Sequence, residues 1–266
     1  MNPAMVVRAW GLGGAVRDRG RTGWAHLGRG RGGAVDVDAL ALANRLVGND
    51  DGAPGIETSG GLVLAIERAT MLAVTGSPAD LAVDGGPPLG WGVATALPAG
   101  AVVRVGRLHG GARTYVAVRG GVSRVDGDLL LVGPEPPRPP SGDIAAPAPR
   151  REEIRVWPGP RLDWFDDDAW SVLTGGPYTV SPDSDRVGVR LRGPTLRRRR
   201  TDELPSEGVV EGAVQVPPDG SPIVMLADHP VTGGYPVIAV VDPADLGHVA
   251  QAPPGATLRF RAQRST

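Results

Sequence analysis

AVQVPPDGSPIVML, residues 213–226, is a strand, a tight turn and a second strand in direct succession. Pro217 and Pro218 supply a preset φ, Asp219 a side-chain acceptor and Gly220 a residue that takes positive φ, which together predict a β-turn joining strands 213–216 and 223–226. Side chains alternate along a strand, so Val214 and Val216 share one face while Gln215 points the other way, into a polar pocket or solvent. The same rule sets Asp228 on the face opposite Ala227, at the end of the second strand. Similar short runs recur at 62–67, 70–75, 102–105, 113–118 and 257–261, separated by Gly, Pro and Asp at hairpin-like intervals. Forty Gly and 27 Pro, spread without a period, suit many turns between short strands, and the expected class is mainly β with a few short helices.

Two helices stand out against that background. Asp36 can cap a segment in which Val37, Leu40, Ala43, Leu46 and Val47 recur at helical spacing, with Gly48-Asn49 to end it. Asp242-Pro243 is a cap followed by proline at the first helical position, so 243–249 reads as a short helix. The Pro-rich stretch 134–150, PEPPRPPSGDIAAPAPR, has no apolar periodicity and reads as an extended linker. The predicted organisation is therefore a domain over 1–133, a linker over 134–150 and a domain over 151–266.

Composition removes several classes of chemistry. There is no cysteine, hence no thiol nucleophile, thiolate metal site or disulfide, which is compatible with a reducing cytoplasm. There is no lysine either; all 28 basic residues are Arg, which excludes a Schiff base and a Walker lysine. Only His26, His109, His229 and His248 can act as imidazole bases. A net charge of −1 offers no field to hold a nucleic acid, and small molecules or protein partners are expected instead. The opening apolar run is broken by Arg8, and the longest apolar stretches are strand-sized, far below the roughly 20 residues of a membrane-spanning helix. Neither export nor membrane insertion is predicted, and a cytoplasmic location is expected.

Gly28 to Gly33, GRGRGG, has the spacing of a dinucleotide fingerprint, but the preceding TGWAHL is not the buried strand such a fingerprint requires. A flexible loop is the simpler reading, with Arg29 and Arg31 as potential anion contacts. Arg197 to Arg200 is a run of like charge of the kind usually found in solvated loops. Asp228-His229 followed by Thr232-Gly233-Gly234-Tyr235 combines an acceptor, a base, two hydroxyls and close backbone approach. It is either a ligand loop or a Gly-rich turn with a capping Asp. Asp185-Arg186 and Glu207 are open to a purely structural ion-pair reading.

Taken together, SDRVGVRLRGP (184–194), ELPSEGVVEGAVQVPPDGSPIVMLAD (203–228) and TGGYPVIAVV (232–241), with VRDRGRTGWAHLG, ALANRLVGN and IETSGGLVL in the first half, resemble the family of 5-oxoprolinase C subunits. That family is also called allophanate hydrolase subunit 2 or kinase A inhibitor antagonist, and it is related to the carboxyltransferase domain of urea carboxylase. The chain departs from the family pattern where Arg17 replaces a Gln and where GRGRGGAVD replaces VPPSG ahead of the first helix.

The resemblance implies two cyclophilin-like β-barrels and a partner of the B-type, also called allophanate hydrolase subunit 1. With a third, lactam-opening protein of the A-type the assembly would hydrolyse 5-oxoproline to glutamate, using ATP with Mg bound through the complex. On the matching positions the implied catalytic residues are Asp228, Glu207 and Gln215. The implied substrate-binding residues are Arg186, Thr232, Gly233, Gly234, Tyr235, His26, Glu57 and Thr58, with a pocket shared by both barrels bringing the two sets together. Two other functions are open: a non-catalytic module that sequesters an inhibitor of a sensor kinase, and half of a biotin-dependent carboxyltransferase acting on urea or a related amide.

Overall fold

The computed structural model describes residues 4–86 and 88–263. Its contacts divide the chain into two units, Met1–Gly20 with Asp36–Pro149, and Arg21–Val35 with Arg150–Thr266. Two assignments here differ from the linear division read from composition: residues 21–35 belong to the second unit, and most of the Pro-rich stretch belongs to the first.

The first unit contains β1 (Met5–Ala9), β2 (Ala15–Arg17), β3 (Gly55–Thr58), β4 (Leu62–Ile66), β5 (Thr70–Gly76), β6 (Ala79–Asp84), β7 (Thr95–Leu97), β8 (Val102–Leu108), β9 (Thr114–Val118), β10 (Val122–Asp126) and β11 (Leu129–Val132). They form a six-stranded sheet, β10-β11-β1-β4-β8-β6, and a five-stranded one, β2-β3-β9-β5-β7. Met5, Ile56, Leu62, Leu64, Leu72, Val74, Val103, Val105 and Val116 make the shared core.

Helix α1 (Val37–Leu46) begins where the sequence predicts, with Asp36 Oδ1 accepting from the Ala39 amide at 3.0 Å. It lays Ala43, Leu46 and Val47 against Ala73 of β5 and Ala117 of β9. The Pro-rich segment has no regular structure but is pinned along this unit. Arg119 donates to the carbonyls of Val47, Pro136 and Arg138, and Ser141 N donates to Leu46 O. A proline-rich chain has few N–H groups to offer, so a guanidinium with five donors is well suited to satisfy its carbonyls.

The second unit contains β12 (Glu153–Pro158), α2 (Ala169–Gly175), β13 (Pro177–Val180), β14 (Gly188–Arg192), β15 (Glu207–Gly208), β16 (Ala213–Gln215), β17 (Ile223–Met225), β18 (Thr232–Gly233), β19 (Val237–Val241), α3 (Leu246–Ala250) and β20 (Thr257–Ala262). Seven strands close a barrel in the order β12-β19-β16-β17-β14-β13-β20, the parallel β12–β20 pair completing the ring. Closure removes the exposed edges that an open sheet would present. Ile154, Val156, Tyr178, Val189, Leu191, Val214, Val224, Ile238, Leu258 and Phe260 fill it, with Val35 of the 21–35 segment among them.

The predicted 213–226 hairpin forms, with Val214 opposite Val224 and Gln215 opposite Ile223. Gly220 N returns to Pro217 O, and Gly220 takes φ 77°. Asp242 caps a 3₁₀ turn at Pro243–Asp245 that runs on into α3. No helix among the described residues is long and apolar enough to cross a membrane.

Candidate functional site

Beyond the paired residues of β14 and β17 the two strands stay zipped: Leu226 N donates to Val187 O and Asp228 N to Arg186 O. This extension brings Arg186 and Asp228 side by side at the barrel mouth. Arg186 forks onto the carboxylate, Nε to Oδ2 at 2.8 Å and Nη2 to Oδ1 at 3.1 Å, while Nη2 also reaches Gly33 O at 2.6 Å. The guanidinium is largely buried and the carboxylate one-third exposed, so the arginine is committed to holding an acceptor that solvent can still reach. Asp185 is in no ion pair among the described residues; its Oδ1 accepts from the amides of Val187 and Gly188 and shapes the turn.

Gln215 sits deeper. Only 3% exposed, it donates from Nε2 to Tyr235 O at 3.3 Å, and Val216 N bonds Pro236 O at 3.1 Å. The Thr232–Gly233 strand β18 pairs with β15, placing Gly233 opposite Glu207 and directly over Gln215. A Cβ on Gly233 would stand 2.8 Å from Gln215 Nε2, so only glycine leaves room for the amide. Glu207 is ion-paired with Arg161 rather than with Arg186. Thr232, Gly234 and Tyr235 are exposed, and His229 is buried with Nδ1 2.8 Å from Pro230 O.

Residues that had no signal in the sequence complete the arrangement. Arg198, from the run read as solvated, donates to Val216 O and stands over the Tyr235 ring with 5.9 Å to its centroid. Arg200 stacks on Trp164 and Arg199 pairs with Asp167, so three of the four arginines are engaged. The glycine-rich loop is part of a strap held on the second unit. Arg31 forks onto Glu211 with both contacts at 2.7 Å, Gly32 N donates to Ala227 O, and Gly33 O accepts from Arg186. His26 lies on the exposed part of that strap, in a 3₁₀ turn at Ala25–Leu27.

Glu57 and Thr58 lie in the first unit and form a separate cluster. The Glu57 carboxylate, 1% exposed, accepts from Tyr115 Oη at 2.9 Å and has Arg113 Nη1 at 3.8 Å; Tyr115 Oη in turn accepts from Asp36 N at 2.9 Å. Burial pushes the Tyr115 hydroxyl well above its ordinary range, reinforced by the Glu57 and Asp36 carboxylates, and keeps it a proton donor. Thr58 Oγ1 is buried in a turn and accepts from Gly60 N at 3.1 Å. No group of three His, Asp or Glu is placed to hold a metal ion among the described residues.

Residues 27–126 and 125–262 match the family described as carboxyltransferase domain, subdomain A and B. The chain belongs to that family. Among proteins of the carboxyltransferase A and B family, it is similar to the C subunit of 5-oxoprolinase from Escherichia coli strain K12, 34% identical over 96% of this chain and 89% of the relative. It is also similar to the crystal structure of TTHA0988, with TM-score 0.86 and 36% identity over 97% of this chain. This chain spans 55% of the length of TTHA0988. The crystal structure of Kluyveromyces lactis urea carboxylase superimposes with TM-score 0.90 at 25% identity, over 99% of this chain and 28% of that one.

Proposed function

We propose that the chain is the C subunit of an ATP-dependent 5-oxoprolinase, acting with a B-type partner and a lactam-opening protein of the A-type. The observation that carries this reading is the likeness to the C subunit of 5-oxoprolinase from Escherichia coli along almost the whole of both chains. The reaction would take 5-oxoproline, ATP and water to glutamate, ADP and phosphate. Amide resonance makes a lactam a poor electrophile, and phosphorylating its oxygen creates a leaving group at a reactive carbon. ATP with Mg would be bound through the complex.

Within the second unit, Asp228 is the group best suited to proton transfer: solvent reaches it and Arg186 orients it. Thr232, Gly234 and Tyr235 offer ligand contacts from the adjoining loop. Gln215, buried beneath Gly233, is a positioning residue that holds the Tyr235 backbone. Glu207, held by Arg161, flanks the same loop through the β15–β18 pair.

A second reading has support from the likeness to urea carboxylase: half of a biotin-dependent carboxyltransferase. With no lysine, this chain cannot carry biotin and a partner would have to. The test is ADP release by the complex purified through this chain, with and without 5-oxoproline and the A-type protein. Substrate-dependent release, abolished by Asp228→Asn and by Gln215→Ala with partner binding intact, is the expected result. An intact, partner-bound complex that releases no ADP and carries a streptavidin-reactive partner would replace the first reading with the second.

A further inference from the structure

The parallel pair that closes the barrel sets Arg155 directly opposite Arg261, with Ile154 and Val156 facing the core and the arginines facing out. Like charges opposed across a ladder are destabilising, and the surroundings relieve only one of them. Asp245, 1% exposed, takes three hydrogen bonds from Arg155, from the backbone N at 2.8 Å, Nε at 2.9 Å and Nη2 at 2.8 Å. That locks Arg155 in place and uses up the carboxylate. Among the described residues Arg261 has only Glu153 at 3.3 Å, both mostly exposed, a contact that contributes little. Arg151, on the same wall, makes no hydrogen bond or ion pair among the described residues. These five side chains line a cleft of about 570 Å³, within the range of small-molecule sites.

We propose that this cleft, on the barrel wall between β12 and β20, binds a phosphate monoester that carries hydroxyl groups. Arg151 and Arg261 supply planar donor forks matched to phosphate oxygens, Arg155 is a fixed third cation, and Glu153 can accept from a hydroxyl. No aromatic ring lines the cleft, so recognition rests on the phosphate and hydroxyls, and a sugar phosphate and a nucleotide share the required chemistry.

The test is calorimetric titration of the full chain with ribose 5-phosphate, AMP and inorganic phosphate, repeated on the Arg151→Ala/Arg261→Ala and Gln215→Ala variants. The expected result is saturable one-site binding of an ester, weakened at least about tenfold in the double variant and unchanged in Gln215→Ala. Both arginines are exposed, and circular dichroism checks that the double variant is folded. Whichever ester binds more tightly identifies the source of the ligand. Three outcomes would overturn the proposal: no saturable binding of either ester, binding undiminished in the double variant, or inorganic phosphate binding as tightly as the esters, which would mean an adventitious ion only.

Discussion

Gly233 shows how a single missing methyl group can shape a site. Its place over Gln215 means that Gly233→Ala forces the buried amide off Tyr235 O or moves the β15–β18 pair. The expected loss of stability is about 1 kcal/mol, with a much larger loss of ADP release; a variant with unchanged turnover would remove Gln215 from any role in positioning. His248 carries a different consequence. Burial holds its imidazole below the ordinary value of 6.5, with Arg151 and Arg155 acting in the same direction against Asp245. The folded state thus favours the neutral ring, and the unfolded chain takes up the proton first as pH falls below 6.5. This contribution is complete above that value and is lost below it. Urea midpoints at about pH 7.5 and about pH 5.5 should differ less in His248→Gln than in the parent.

At the scale of elements, the β16–β17 hairpin depends on its turn. Gly220 combines φ 77° with a hypothetical Cβ 2.5 Å from Thr195 Cγ2 and 3.0 Å from Leu196 O. Gly220→Ala therefore meets both backbone strain and a clash, and should cost about 1–3 kcal/mol in urea unfolding. This hairpin, α1 and the turn at Asp242 are legible in the sequence because each is specified locally, by alternation, a cap or a turn residue. The partners of the site residues are not. Arg186 and Asp228 are 42 residues apart with four strands between them, and nothing near Glu207 in the chain points to Arg161. Gln215 is legible as a polar residue in an apolar strand, but its burial follows from β18 folding over it. Residues 21–35 were hidden for the opposite reason: a Gly- and Arg-rich segment has no local preference, and its place is set by Arg31–Glu211 and the Gly33 carbonyl.

For the whole molecule, the division at 134–150 that composition suggests is not a line along which the protein can be cut. A fragment of residues 150–266 would lack Val35 in the barrel core, the Arg31 counter-ion of Glu211 and the Gly33 carbonyl that Arg186 bonds. It should unfold at lower urea concentration than the second unit within the full chain. Supplying residues 21–35 as a peptide should restore part of the difference, and a fragment as stable as the full chain would show the strap to be dispensable. The chain changes unit after residues 20, 35 and 149.

That order of segments has a consequence during synthesis. Residues 21–35 leave the ribosome early, yet the groups that hold Arg31 and Gly33 belong to residues made after position 150. At common translation rates the interval is on the order of ten seconds. Throughout it a glycine-rich stretch bearing Trp24 and several arginines must stay untrapped while the first unit is completed. Its lack of intrinsic structure, which makes it unreadable in the sequence, is what lets it wait.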